Sequence, residues 1–150
     1  MGEPLLACTF RLERHWLGID VRQVQEVVKV DRVARVPLAP RAVHGLINLR
    51  GRIVTAINLR ARLGLPDAAS TVHVVTVHRG EPLSLVVDEP GDVVPVDPGS
   101  IEPLPPTVTG LGREAIQGVC KLPNRLLLLL RLDTIADIPL EDRNRARADH

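Results

Sequence analysis

Aromatic residues are almost missing from this chain: no Tyr, one Phe (Phe10) and one Trp (Trp16) in 150 residues. That excludes a core built on ring packing and leaves Val, Leu and Ile to fill it. Lysine is nearly as scarce, with only Lys29 and Lys121, so positive charge is carried by Arg. The formal net charge is +1, too small to draw the whole molecule to nucleic acid or to an anionic membrane. The two cysteines, Cys8 and Cys120, stand far apart with no CxxC. Their spacing argues for no metal pair and no particular disulfide, and two buried thiols are the simplest expectation. The longest fully apolar run is Leu126 to Leu130, against roughly 20 residues for a helix that spans a bilayer. No direct membrane insertion is expected. No basic start leads into a long apolar stretch, so no signal peptide is expected and the location reads as cytoplasmic.

What is present is a folded protein's balance, 45% hydrophobic and 25% charged. Short β-branched runs recur between turn signals. Pro4 to Phe10 leads into a strand, and Trp16 to Val21 reads as a second, with Leu17, Ile19 and Val21 on one face. Val24, Val27 and Val28 recur at helix-like spacing, consistent with one turn before Val30. Val43 to Leu65 is the most organised stretch. A strand ends at Arg50-Gly51, Ile53 to Ile57 returns, Asn58 is placed to cap a short helix, and Gly64 stops it. Val72–Val77 and Leu83–Val87 form a hairpin around Arg79-Gly80, and Val93 to Val96 is a short strand. Pro98 to Thr109 is a proline-rich loop. Ile116–Leu122 and Arg125–Leu132 read as a closing hairpin around Pro123-Asn124, and Asp133 to Asp137 suits a last helical turn. The charged segment at about 141–150 is expected to be a mobile tail. Nine or ten short strands with few helices predict an all-β sandwich or barrel assembly.

No catalytic constellation emerges. The five histidines, His15, His44, His73, His78 and His150, show no HExxH or other metal-ligand spacing. His73 and His78 fall on opposite faces of one strand by parity. The three serines, Ser70, Ser84 and Ser100, lie in no GxSxG. Asp88-Glu89 reads as a pair of solvated charges at a strand end, pointing to opposite sides. No glycine-rich phosphate loop occurs. Arg50, Arg52, Arg60 and Arg62 form a basic cluster, but no stacking aromatics accompany it, so no nucleic acid is expected as a partner. Nor is any catalytic residue, cofactor or metal.

Gly18-Ile19-Asp20-Val21, Val24-Gln25-Glu26-Val27, Val36-Pro37 and Val43-His44-Gly45-Leu46-Ile47-Asn48-Leu49-Arg50-Gly51 follow one another in order. Ile53-Val54, Asn58-Leu59-Arg60, Leu63-Gly64, Leu85-Val86-Val87-Asp88, Gln117-Gly118-Val119 and Arg125-Leu126-Leu127-Leu128 continue the series. From Phe10 to Ile135 the chain resembles the CheW-like domain, the coupling adaptor of bacterial chemotaxis. The resemblance implies a single domain over 1–150 made of two five-stranded β-barrels side by side, with short helical turns. It implies a non-enzymatic adaptor that joins the cytoplasmic tip of a chemoreceptor (a methyl-accepting chemotaxis protein) to the regulatory domain of a CheA-type histidine kinase. Receptor contacts lie in the groove between the barrels and kinase contacts on the first barrel. Carried over by position, the partner-binding residues are Val21, Val24, Glu26, Gly45, Asn48, Arg50 and Gly51, with a Glu26–Arg50 pair. Val24 is the expected exposed apolar contact. Departures are Thr55 for a frequent Pro, Asn58 for Asp, Pro90 for a groove-lining aliphatic, Cys8 for a larger apolar residue, and Arg131 at an often acidic or polar position. An adaptor of another chemosensory pathway, for motility or development, that keeps only the receptor or only the kinase contact stays open.

Overall fold

The computed structural model describes residues 4–108 and 112–138; the charged tail read at 141–150 lies outside them. Leu5–Leu12 (β1) and His15–Asp20 (β2) form a hairpin, and a 3-10 turn at Val21–Gln23 leads into Val24–Lys29 (β3). Val43–Leu49 (β4) and Arg52–Asn58 (β5) precede a one-turn helix, Leu59–Arg62 (α1). Then come Val72–His78 (β6), Glu81–Val87 (β7), Glu89–Val96 (β8), Ile116–Lys121 (β9), Leu126–Leu130 (β10) and a short helix, Leu132–Ala136 (α2). The aliphatic alternation in the sequence becomes two five-stranded sheets. Sheet 1 has the order β8-β1-β2-β10-β9 and sheet 2 the order β3-β6-β7-β5-β4. Pairing is antiparallel except for β10 with β2 and β5 with β7.

The all-β class and the five strands per half are as expected. Closed barrels are not: the end strands of each sheet, β8 and β9 or β3 and β4, are not hydrogen-bonded to each other. In sheet 2 the connection between β3 and β4 spans part of this seam, with Ala34 and Leu46 exchanging two backbone hydrogen bonds of 2.8 Å.

Three apolar clusters result. Ala7, Val96, Cys120, Leu127 and Leu129 form a cluster on the face of sheet 1 opposite the inter-sheet core, with Trp16 packed against them. Ile47, Val54, Ala56 and Val86 do the same for sheet 2. The largest cluster lies between the sheets and draws Phe10, Leu17, Ile19 and Leu128 from one, and Ile57, Val74, Leu85 and Val87 from the other. Strand parity explains the division: Leu127 and Leu129 face one way, Leu128 and Leu130 the other. Cys8 and Cys120 are free, buried thiols in different clusters. Burial pushes both thiols above their ordinary pKa, so neither is a ready nucleophile.

Two local expectations are corrected. Val21 is not the end of a strand; it opens the 3-10 turn capped by the Asp20 carboxylate, which accepts from the Arg22 N–H at 2.9 Å. Val24 to Val28 is strand and not helix. A β-bulge between Val24 and Glu26 inserts one residue, so Val24 opposes Thr76 while Val27 opposes Val74. Both therefore share a face at a separation of three, which imitates helical periodicity. Thr55, in place of a frequent Pro, sits in the interior strand β5 and pairs with Leu46 and Leu83. Pro90 lies on the edge strand β8, where a missing N–H is tolerated.

Candidate functional site

The Arg50-Gly51 turn has both φ angles positive, 53° and 84°. That is the backbone of a two-residue type I′ hairpin, whose twist matches the strands it joins. The Asn48 side chain holds the turn, its Oδ1 accepting from the Gly51 N–H at 2.8 Å. The turn projects Arg50 across the open seam of sheet 2 to β3. There Arg50 Nη1 donates to Glu26 Oε1 at 2.9 Å, and Nη2 contacts Oε2. The pair joins the two end strands through side chains where the backbone ladder stops. It stays on the surface, with 67% of the Arg50 side chain and 22% of Glu26 exposed. The hydrogen-bonded guanidinium holds the Glu26 carboxyl below its usual pKa.

The other expected residues divide. Gly45 is buried beneath the β3–β4 connection: a Cβ there would lie 2.5 Å from Val33 Cγ1 and 2.6 Å from Ala34 O. It lets two backbones meet. Val21 lines a cleft of about 830 Å³ on the sheet 1 side of the crossing turn, together with Ile19, Arg22, Leu129 and Leu130. Val24 is half-buried and packs on the inter-sheet core, while Val27, 40% exposed, is the apolar side chain that β3 offers to solvent. Glu26, Asn48, Arg50 and Gly51 thus come together at the seam, with Val21 and Val24 beside them at the crossing.

The sequence reading missed a second polar group. Asp88 is not solvated. Its Oδ2 accepts from the Glu13 N–H and from Arg60 Nη2, both at 2.7 Å. Arg60 Nη1 donates to Glu13 Oε1 at 2.8 Å and to the Pro66 carbonyl at 2.9 Å. Only 10% of the Arg60 side chain and 14% of Asp88 are exposed. Glu89 turns outward to Arg11 Nε at 2.8 Å. One local signal existed: Asn58 caps α1 at 3.1 Å and Leu59 is fully buried, which leaves the next residue against the body of the protein. Nothing local named its partners. The apparent basic cluster is divided among internal acceptors. Arg50 takes Glu26, Arg52 takes Glu81 at 3.2 Å, Arg60 takes Glu13 and Asp88, and Arg62 donates to the carbonyls of Thr134 and Ile135 at the end of α2.

His73 and His78 serve structure. His73 is fully buried, its Nδ1 2.7 Å from Ser84 Oγ and its ring 6.3 Å from that of His44. Burial and then the neighbouring His44 lower its pKa to about 4. His78 instead bridges to Asp133 of α2 at 2.8 Å. Among the described residues no group of three or more His, Cys, Asp or Glu side chains is placed to hold a metal ion.

This fold and seam can be set beside known proteins. The family model for the CheW-like domain matches residues 7–139. The chain belongs to the CheW-like domain family. Among curated CheW-family relatives, the chemotaxis protein CheW of Treponema pallidum is 33% identical over 85% of this chain and 79% of its own length. That of Rhizobium meliloti is 31% identical over 97% and 93%. The solved scaffolding protein TtCheW from Thermoanaerobacter tengcongensis superposes with a TM-score of 0.81 at 29% identity, covering 92% of this chain and 91% of the other. The chain is thus a CheW-family scaffold of chemotaxis. Among the described residues no helix is long and apolar enough to cross a membrane.

Proposed function

We propose that this protein is a cytoplasmic, non-enzymatic adaptor that couples a chemoreceptor's cytoplasmic tip to the regulatory domain of a CheA-type histidine kinase. The observation that carries the proposal is the match to the CheW-like domain across residues 7–139. The surface agrees with a docking role. The edge strand β3 offers the exposed Glu26–Arg50 pair on one face and Val27 on the other, and Val21 lines a separate cleft, polar and apolar features that a partner helix can engage. In this reading Val21, Val27, Glu26 and Arg50 face the partner, and Asn48, Gly51 and Gly45 hold them in place.

The test is co-purification of the full chain with a receptor-tip fragment and with a kinase regulatory domain. Capture of both supports the adaptor, and capture of one identifies the adaptor of a divergent pathway. Capture of neither overturns the reading. Arg50→Glu is expected to weaken capture without lowering the melting temperature. Unchanged capture by a folded variant would remove Arg50 from the contact.

A further inference from the structure

The chain passes directly between the sheets at two places. One is the turn Val21–Gln23 between β2 and β3, and the other is Asp88 between β7 and β8. The register of sheet 1 sets them at opposite ends: Asp20 lies opposite Ala7, whereas Glu89 lies opposite Arg11, beside the turn at Glu13. The two crossings are fastened differently. At Asp88, the carboxylate accepts from Glu13 of the sheet 1 hairpin and from Arg60 of α1, which continues β5 of sheet 2, and the Asp88 N–H donates to the Arg11 carbonyl at 3.0 Å. Arg60 adds its bonds to Glu13 and to Pro66. At Val21–Gln23, Asp20 only caps its own turn, and the nearby polar link across the sheets is the pair His78–Asp133, with Asp133 largely exposed.

The apolar cluster between the sheets resists their separation but is non-directional, so it sets their angle weakly. A buried planar guanidinium held by three acceptors is directional. We propose that Arg60 is a positioning residue: it fixes the angle between the two sheets at the Asp88 end, and thereby how β3, with Val24 and Val27, is set against sheet 1 at the other crossing. The functional half of this inference rests on reading the junction of the two sheets at that crossing as the receptor groove.

Residual dipolar couplings of the parent chain, Arg60→Lys and Arg60→Met test the angle directly. One alignment tensor is expected to describe both sheets of the parent. In Arg60→Met each sheet is expected to fit internally while the joint fit fails, with Arg60→Lys between them, because an ammonium cannot reach all three acceptors in the same planes. Affinity for a receptor-tip fragment, which needs both sheets, is expected to fall about tenfold in Arg60→Met, while that for the kinase regulatory domain, which needs one, stays unchanged. Equal loss of both affinities with an intact joint fit would reduce Arg60 to general support and overturn the proposal. Separate tensors with undiminished receptor affinity would overturn it too. If the parent binds neither partner, the adaptor reading fails, and the tensor comparison still decides whether Arg60 sets the angle. Should Arg60→Met not fold, Glu13→Gln removes charge from the sheet 1 side alone and carries the same comparison.

Discussion

The seam at Arg50 and the clamp at Arg60 use one chemistry, guanidinium against carboxylate, in opposite surroundings. Arg50 reaches over the surface from a hairpin turn, and water screens what it gains from Glu26. Arg60 lies under the protein, where its carboxylates replace the water it has lost. The exposed pair is the kind of feature a partner can reach. The buried cluster is the kind on which the shape of the partner's surface depends.

Substitutions that strip one partner from each arrangement should separate them. The largest effect is expected for Arg60→Met, which leaves the buried Asp88 with only the longer cationic contact to Arg11 at 3.7 Å and should cost about 3 kcal/mol in denaturant melts. A smaller loss would mean that water enters the site and the cluster is looser than its geometry indicates.

The histidines extend the contrast to pH. His73 has a folded pKa of about 4, below its unfolded value, so the unfolded chain binds the extra proton between those limits. Its contribution is complete above about pH 6.5 and is lost as pH falls toward 4, by about 3 kcal/mol in all. Melting temperatures across this range should fall with acid in the parent, and more shallowly in His73→Gln. An equal slope in both would assign the acid sensitivity to other groups.

Val24 and Val27 share a face of β3 and differ in cover. Val24→Asp sets a carboxylate against the inter-sheet core and is expected to cost about 2–3 kcal/mol. Val27→Asp should cost about 0.5 kcal/mol or less while weakening capture of a receptor tip. Equal stabilities in thermal melts would contradict this difference in cover. The smallest effect on stability is expected at Arg50→Glu, whose melting temperature should stay near the parent's at low and high salt. A marked fall would make the seam pair a structural lock.

Much of the fold is legible in the sequence, because its strands carry apolar alternation and its turns carry local chemistry. Arg50-Gly51, Arg79-Gly80 and the Asn58 cap each act within a few residues of chain. What failed was whatever depended on another segment. The bulge at Val24 is defined against β6, and it turned a strand into an apparent helical turn. Asp88 looked solvated because nothing near it in sequence shows that Glu13 and Arg60 close over it. Parity placed Leu17 and Ile19 on one face correctly but not Val21, because the strand ends at Asp20 and Val21 opens a 3-10 turn. The Glu26–Arg50 pair joins distant segments, and only the family resemblance brought it into view. The buried role of Gly45 required the crossing backbone to be seen.

The order of strands in the two sheets also bears on how the protein is made. Sheet 2 uses five strands consecutive in the chain, β3 to β7, while sheet 1 joins β1 and β2 to β8, β9 and β10. As the chain leaves the ribosome, sheet 2 has all its strands available while the first hairpin still waits for the parallel partner that pairs Leu127 with Trp16, more than a hundred residues later. Until β10 arrives, Leu17 and Ile19 lack part of their cover, and the newborn protein carries a finished half and an adhesive one.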